Sequence, residues 1–240
     1  MFKSIETQHR DLNALDWDAA IDLNRAALIR LLTVMVAALG MEVGGSVERV
    51  PLRVRLMVMR LLRPAESALR RLVFLRARDM PDAEYVPGPK RDKAAKRSKT
   101  RSRSVSLPLF DPRKKHGQRR RKRAPGPGPR ISFFDGTDRR FAPKPQAPKP
   151  LPDDLVDAET LCRRLNALAK VLNDLEGAAR RLKRLQARRK LSPRLSGQGV
   201  LRINTAPGHR KRGRSAEERS IDAVLTECQT LARRWITDTS

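Results

Sequence analysis

Residues 53–78, RVRLMVMRLLRPAESALRRLVFLRAR, decide the fold, because they combine large aliphatic residues with arginines in a single helical pattern. One row of apolar residues recurs at steps of four and three: Val54, Val58, Leu61, Ala65, Ala68 and Leu72. That spacing predicts one buried face of a helix. A row of basic residues recurs at two or three helical turns: Arg53, Arg60, Arg71 and Arg78. These arginines are predicted to lie on the opposite face, which makes the helix amphipathic.

Pro64 stands in the middle of this stretch. A proline inside a helix removes one hydrogen bond and costs about 3 kcal/mol, so it normally ends or kinks the helix. The apolar row keeps its phase on both sides of Pro64. We therefore expect one helix with a kink at this position, and packing that compensates for the proline.

The residues before this stretch predict another helix of similar length. Ile21, Leu28 and Met35 form one apolar row at helical spacing. Asp16 offers a capping oxygen before the row, and Gly40 follows its last apolar residue. Both signals place a helix between these two residues.

Two helices joined by the short segment MEVGGS favour an antiparallel hairpin. The predicted hairpin covers residues 16–78 and follows an N-terminal tail at 1–15. Leu32, Val34 and Leu39 widen the apolar stripe of the first helix beyond what one partner helix covers. Either the C-terminal helices or a second copy of the chain is expected to cover the remainder.

Charge is concentrated in the middle of the chain. The sequence has 53 Lys and Arg against 26 Asp and Glu, a net charge of +27, and residues 79–156 alone carry 21 basic and 9 acidic residues. The same part contains PGPK, APGPGPR and APKPQAPKPLP, which interrupt helices and sheet ladders. Like charges and proline at this density predict a long disordered linker, rich in Pro, Arg and Lys, over residues 79–152.

The C-terminal part, residues 153–236, predicts a second pair of helices. A long helix is indicated by an apolar row at steps of four and three: Leu161, Leu165, Leu168, Leu172, Leu175, Ala179 and Leu182. A basic loop at 191–214 follows, and a final helix begins with the capping-box spacing of Ser215 and Glu218. The predicted fold is therefore all-α, with two helical hairpins, antiparallel or coiled-coil-like, separated by the basic linker.

The residue types that carry enzymatic chemistry are scarce or poorly placed. His9, His116 and His209 all fall in predicted tails or loops, where no scaffold fixes a general base or a metal. Cys162 and Cys228 fall within helical patterns, where packing explains them. No GxxxxGK[ST] phosphate loop occurs. We expect a protein that is not an enzyme, with no cofactor, no metal site, no catalytic residue and no small-molecule substrate.

The N-terminal segment MFKSIETQHRDLN lacks the basic-then-apolar pattern of a signal peptide. No apolar run reaches the roughly 18 residues that a membrane-spanning helix needs. These two features predict a cytoplasmic protein, or a nuclear one if the host is a eukaryote.

Two basic runs favour a polyanionic partner. Eight of the fourteen residues in KRDKAAKRSKTRSR (90–103) and eight of the eleven in RKKHGQRRRKR (113–123) are Lys or Arg. Side chains at this density neutralise several phosphates through counterion release, without reading sequence. The predicted nucleic-acid-binding residues combine both runs with the basic end of the long helix: Lys93, Lys96, Arg97, Lys99, Arg101, Arg103, Arg113, Lys114, Lys115, Arg119, Arg120, Arg121, Lys122, Arg123, Arg180, Arg181, Arg184, Arg188 and Arg189.

Other interpretations stay open beside nucleic-acid binding. The basic runs are equally explained as solvated spacers. The arginine-backed helices of the first hairpin also suit an anionic membrane surface, on which the protein acts as a scaffold. Helical seams also fit a homodimer, or an adaptor that pairs with helices of another protein.

A Phe-Asp pair precedes a basic cluster twice, in LFDPRKK at 109–115 and in FFDGTDRR at 133–140. A short docking peptide that one partner binds twice has this form. Biased composition also produces such matches easily, and we favour coincidence.

Overall fold

The computed structural model describes residues 16–42, 44–82, 106–112, 151–191, 199–202, 204–210 and 215–238. This part of the chain is mostly helical, as the all-α prediction requires. Its five helices are α1 (Trp17–Ala38), α2 (Leu52–Arg76), α3 (Glu159–Asn173), α4 (Leu175–Lys190) and α5 (Ala216–Asp238). Two short strands, β1 (Arg49–Pro51) and β2 (Leu155–Asp157), pair in antiparallel register.

The predicted helix starts are confirmed at two places. Asp16 caps α1, because its Oδ1 accepts a hydrogen bond from the backbone N–H of Ala19 at 2.9 Å. Ser215 caps α5, because its Oγ accepts from the N–H of Glu218 at 3.2 Å. Each cap satisfies a backbone donor that the first turn of a helix leaves without an internal acceptor.

The predicted passage of one helix through Pro64 is confirmed, since α2 is continuous on both sides of it. Pro64 has no N–H to donate to the carbonyl of Arg60, four residues earlier. The guanidinium of Arg210 donates to that carbonyl instead. Gly208, at φ 89°, passes so close that a Cβ there would lie 2.8 Å from the nitrogen of Pro64. The loop before α5 therefore supplies the hydrogen bond that α2 lacks at Pro64.

The second half of α2 is buried on every side, which the amphipathic interpretation did not anticipate. Arg53 and Arg60 are exposed as predicted, but Arg71 is fully buried and Arg70 is 4% exposed. Helices α1, α3, α4 and α5 all pack against α2, so no face of this half is left for solvent. The prediction is therefore wrong for Arg71, because it assumed a helix with one covered face. It is also wrong for Arg78, whose side chain is 12% exposed and whose guanidinium lies 4.8 Å from the centre of the Trp17 ring.

The predicted long C-terminal helix is interrupted at Asp174, which separates α3 from α4. Asp174 has a non-helical backbone (φ −125°, ψ 73°), and its carboxylate caps α4 by accepting from the N–H of Gly177 at 2.8 Å. The leucine row is buried on both sides of the break, at Leu172 and Leu175. Because the row continues in phase, its spacing gave no sign of the interruption.

The apolar side chains of all five helices join one hydrophobic core within the described part of the chain. Helix α1 packs against α2, α3 and α5, so C-terminal helices cover part of its wide apolar stripe. Arg76, at the end of α2, pairs with Asp18, at the start of α1, with 2.7 Å between Nη1 and Oδ1. Cys162 and Cys228 are free thiols buried in this core, as expected for packing residues.

Candidate nucleic-acid interface

The residues predicted to bind nucleic acid separate into two groups. Those between 93 and 103 and between 113 and 123 lie outside the described residues, so their role stays a prediction. The others all lie on α4: Arg180, Arg181, Arg184, Arg188 and Arg189. Helix α4 is therefore the place where the geometry of the predicted interface is defined.

Three of these arginines form the α4 outer face, which we define as Arg180, Arg184 and Arg188. All three are exposed, and their four-residue spacing places them along one side of the helix over about 12 Å. Arg180 pairs with Glu176 at 3.1 Å. Within the described residues, Arg184 and Arg188 have no ion-pair partner, so both guanidiniums are available to an external anion.

The other two arginines of α4 point toward the protein. Arg181 donates from Nη2 to the carbonyl of Leu107 at 2.7 Å. Burial lowers the pKa of Arg181. The guanidinium carbon of Arg189 lies 4.6 Å from the centre of the Phe110 ring, in a cation–π contact. Both side chains therefore hold a segment of this chain.

That segment is the strap, which we define as residues 106–112, SLPLFDP. Leu107 and Leu109 are each 2% exposed and belong to the hydrophobic core. The prediction of a disordered linker is therefore wrong for residues 106–112. It is also wrong at the two ends of the predicted range, where Asp82 pairs with α4 and the carbonyl of Pro152 accepts from the N–H of Arg53. The lysines, arginines and prolines surrounding the strap dominate the composition of this part of the sequence. Composition therefore gave no sign of the two core leucines and the buried carboxylate within it. For 83–105 and 113–150, which lie outside the described residues, the linker stays a prediction.

The strap is fixed by a buried arginine cluster centred on Asp111. Its Oδ1 lies 3.6 Å from Nη1 of Arg70, and its Oδ2 lies 3.1 Å from Nη2 of Arg71. Arg70 also donates from Nε to the carbonyl of Pro108 at 2.8 Å. The N–H of Arg202 donates to Asp111 Oδ2 at 2.9 Å. One carboxylate of the strap therefore joins two guanidiniums of α2 to the loop before α5.

Further polar groups complete the cluster. Arg71 donates to Gln229 of α5 and to the carbonyl and hydroxyl of Ser67 at 2.7 and 2.8 Å. Glu66 lies 3.6 Å from Arg70 and receives two hydrogen bonds, each of 2.9 Å, from Arg164 of α3. Each buried guanidinium thus has both a carboxylate and a neutral oxygen acceptor.

Burial lowers the pKa of Arg70 and of Arg71, and the neighbouring carboxylates oppose that shift. An arginine stays protonated inside a protein, so its burial removes a positive charge from water. Only carboxylates and hydrogen-bond acceptors around the guanidinium offset the free energy that this costs. Asp111 supplies that partner to both side chains. The second half of α2 therefore depends on the strap.

The strap and Asp82 both contact α4. Asp82 accepts from Lys183 at 3.1 Å and from Lys190 at 2.9 Å, and these hydrogen bonds lower the pKa of its carboxyl. Residue 113 follows Pro112 directly, and residue 103 lies three residues before Ser106, within about 11 Å of extended chain. Each basic run is therefore joined through the backbone to the strap, while the runs themselves lie outside the described residues.

Sequence reasoning missed the residues that position this interface, Arg70, Arg71 and Asp111. The one signal was the first Phe-Asp pair, noted as a form of docking peptide. In the structure, Phe110 and Asp111 dock within their own chain, on Arg189 and on the arginine pair of α2. The second Phe-Asp pair, at 134–135, lies outside the described residues.

Other features of the described residues offer less chemistry. A cavity of about 300 Å³ lies between the start of α1 and the junction of α3 and α4. Its arginines are already used: Arg25 donates to the carbonyl of Leu172, and Arg76 joins Asp18 to Glu176. No group of three or more His, Cys, Asp or Glu side chains in the described ranges is arranged to hold a metal ion. Nor does any helix in these ranges have the length and apolar character to cross a membrane.

Comparison of the chain with protein-family models, with curated proteins and with solved structures gave no match. The functional argument therefore depends on the geometry and charge of α4 and the strap.

Proposed function

We propose that this chain is a non-enzymatic, strongly basic helical protein that associates with nucleic acid through phosphate contacts independent of sequence. The observation that carries the proposal is the contact of Asp82 and the strap with α4, which also carries exposed arginines. Both basic runs flank the strap in sequence, and we propose that they act together with those arginines. The net charge of +27 supplies the long-range attraction to a polyanion.

In this proposal, the two basic runs are flexible arms and α4 is the rigid platform between them. The arms neutralise phosphates and release counterions, while Arg184 and Arg188 add contacts of fixed spacing. Neither run contains an aromatic residue, so stacking on bases contributes little. Binding of this kind depends steeply on salt and hardly on sequence.

The test is the affinity of the full chain for generic nucleic acid as salt is varied. Fluorescence anisotropy with two duplexes of unrelated sequence and one RNA should give similar affinities, falling steeply between about 50 and 200 mM salt. A salt-independent affinity, or a strong preference for one duplex, would contradict the proposal.

The variant for this test needs care, because the strap lies between the two runs. Deletion of residues 90–130 would also remove Leu107, Leu109 and Asp111 from the core and destabilise the fold. We therefore propose replacement of the Lys and Arg residues of both runs by Gln, with the strap intact. This variant should keep its helical content and lose most of its affinity. Retained affinity would refute the assignment of the arms.

A second candidate function, association with an anionic membrane surface, is favoured by one feature of α2. On its exposed face, Leu56 and Met57 are 51% and 43% exposed. Arg53, Arg60 and Arg63 are exposed on the same face. Apolar side chains flanked by cations suit the interface of an anionic bilayer. This candidate assigns binding to α2, whereas the first assigns it to α4 and the arms.

Co-sedimentation with vesicles of phosphatidylserine and phosphatidylcholine separates the two candidates. If the membrane is the partner, Leu56→Glu should release the protein from vesicles, and neutralised arms should not. The opposite pattern favours nucleic acid or another free polyanion. Leu151→Glu is the matched control, since Leu151 is 67% exposed and lies outside α2.

A further inference from the structure

The outward side of α1 carries apolar side chains that none of the described residues covers. Leu23 is 67% exposed and Ile29 is 40% exposed. The exposed residues on this side lie three, four, seven or eleven positions from Ala26, and we call them the α1 outer face: Leu23, Ala26, Ile29, Arg30, Thr33 and Ala37. Contiguous apolar surface of this kind marks an interaction site more often than a chance exposure.

Two charges flank this face. Neither forms an ion pair within 4 Å among the described residues, although Asp22 also lines the cavity beside Arg25 and Arg76 and helps to raise the pKa of Arg76. Asp22 and Arg30 are both exposed, and each stands four residues from Ala26, in opposite directions. Leu23 and Ile29 each stand three residues from Ala26, again in opposite directions. On both sides of Ala26, a large apolar residue therefore stands three positions away and a charged residue four positions away. Ala26 itself is a small residue at the centre of the face.

We infer that the α1 outer face binds the same face of a second copy of this chain, with the two helices antiparallel and Ala26 at the two-fold axis. A two-fold interface uses one surface twice and must therefore be self-complementary. In this register, Asp22 of each copy lies opposite Arg30 of the other, and Leu23 lies opposite Ile29. Ala26 meets its own equivalent, which lets the helix backbones approach closely.

The positions of the two charges favour an antiparallel second copy of the chain as the partner of this face. A parallel pairing would place Asp22 beside Asp22 and Arg30 beside Arg30, and both contacts would be repulsive. The antiparallel pairing makes two attractive contacts from the same four side chains. The inference goes beyond the proposed function and does not depend on it.

The dimer is expected to be weak. One pair of helices touching over a few turns buries less surface than the roughly 1,200–2,000 Å² of stable interfaces. The net charge of +27 per chain also opposes association. At about 0.15 M salt, where the Debye length is about 8 Å, that long-range repulsion is screened while contacts within the interface persist.

The experiment is sedimentation velocity of the nuclease-treated full chain over a range of concentrations at that ionic strength. The wild-type chain should show a reversible monomer–dimer equilibrium. Asp22→Arg and Arg30→Asp should each weaken dimerisation about tenfold or more, because each places two like-charged contacts in the interface. The double variant, Asp22→Arg with Arg30→Asp, should restore the wild-type constant, since it exchanges the charges and keeps their complementarity.

A size control is also available. Ala26→Glu should abolish the dimer, because it places two carboxylates at the axis. Ala223→Glu changes the same residue type on the exposed side of α5 and should leave the dimer intact. Circular dichroism of each variant separates loss of association from loss of folding.

Three results would overturn the inference. A wild-type chain that stays monomeric at every concentration leaves the face to another occupant. A dimer that tolerates both single charge reversals and Ala26→Glu uses a different surface. A double variant that fails to dimerise, although it is folded and each single variant is weakened, excludes the antiparallel register. Nucleic-acid affinity measured on the same variants is a separate readout, so failure here leaves the proposed function untouched.

Discussion

Helices α2 and α4 each carry adjacent arginines, and the two helices use them in opposite ways. Arg70 and Arg71 of α2 are both buried and joined to Asp111. In the pairs of α4, Arg180 and Arg188 are exposed, while Arg181 and Arg189 hold the strap. The dipeptide is the same in all three places, so residue type does not decide its role.

The difference follows from what surrounds each helix. Other helices and the strap enclose the second half of α2, so its arginines require acceptors inside the protein. Only one side of α4 meets the core, so the first arginine of each pair, Arg180 and Arg188, stays in solvent while the second faces the strap. A buried arginine without a partner is costly, whereas an exposed one is nearly neutral for stability. The comparison therefore assigns stability to the arginines of α2, and it leaves those of the α4 outer face exposed for the proposed binding of an anion.

The prediction with the largest expected effect compares the same substitution, Arg to Met, at a buried arginine of α2 and at an exposed arginine of α4. Arg71→Met should lower the free energy of unfolding by about 3–5 kcal/mol, because it leaves Asp111 and Gln229 buried with a partner removed. Arg188→Met should change it by about 0.5 kcal/mol or less, as expected of an exposed site. Urea denaturation measures both. Similar losses in the two variants would remove the distinction between the helices.

The next effect sharpens the role of the strap. Asp111→Leu alone should destabilise strongly, because Arg70 and Arg71 lose their shared carboxylate. Arg71→Met combined with Asp111→Leu should lose about 2 kcal/mol less than the sum of the two single variants, since both members of the pair are then apolar. A double-mutant cycle in urea gives this coupling. Strict additivity would show that the two side chains act independently.

A smaller effect concerns the exposed arginines of α4. Replacement of Arg184 and Arg188 by Gln should reduce the slope of log affinity against log salt by about 1.8 for duplex DNA, because two phosphate contacts are lost. Arg219→Gln, an exposed arginine of α5 without an ion-pair partner among the described residues, is the matched control. An unchanged slope in the double Gln variant would remove α4 from the interface.

The smallest effect concerns a carboxylate less well paired than Asp111. Asp222 of α5 has its Oδ1 3.9 Å from Arg210, and burial raises the pKa of its carboxyl. A raised pKa in the folded state gives stability that is present below the unfolded value, near pH 4, and is lost as pH rises through the folded value.

Asp222→Asn stays uncharged at every pH and should therefore have a higher Tm than the wild type at neutral pH. The difference should vanish near pH 3, where the wild-type carboxyl is protonated. Thermal unfolding across this range measures it. A variant that is less stable at neutral pH would mean that the contact with Arg210 outweighs the cost of burial.

Much of the helical framework was predictable from local sequence. The apolar row of α2 is buried at Val58, Leu61 and Leu72, and the capping residues Asp16 and Ser215 accept the expected hydrogen bonds. These features depend on neighbours within one helix, where spacing and side-chain chemistry decide the outcome.

Features that depend on distant parts of the chain were not predictable in the same way. The burial of Arg71 requires a carboxylate forty residues later, and the passage through Pro64 relies on Arg210. The break at Asp174 leaves the leucine row in phase. The three-residue strands are too short for an alternating pattern to be visible. In the candidate interface, composition identified the basic runs, but only tertiary contacts revealed how the strap connects them to α4.

Hydrogen exchange of the strap in the free, full-length protein tests the central claim most directly, because the Asp111 amide donates to the carbonyl of Val200 at 3.1 Å. The account predicts that the amide of Asp111 exchanges as slowly as those of the core helices, since strap and core form one cooperative unit. Exchange of this amide at the rate of an unstructured chain would contradict it, because the strap would then not be held on α2 and α4.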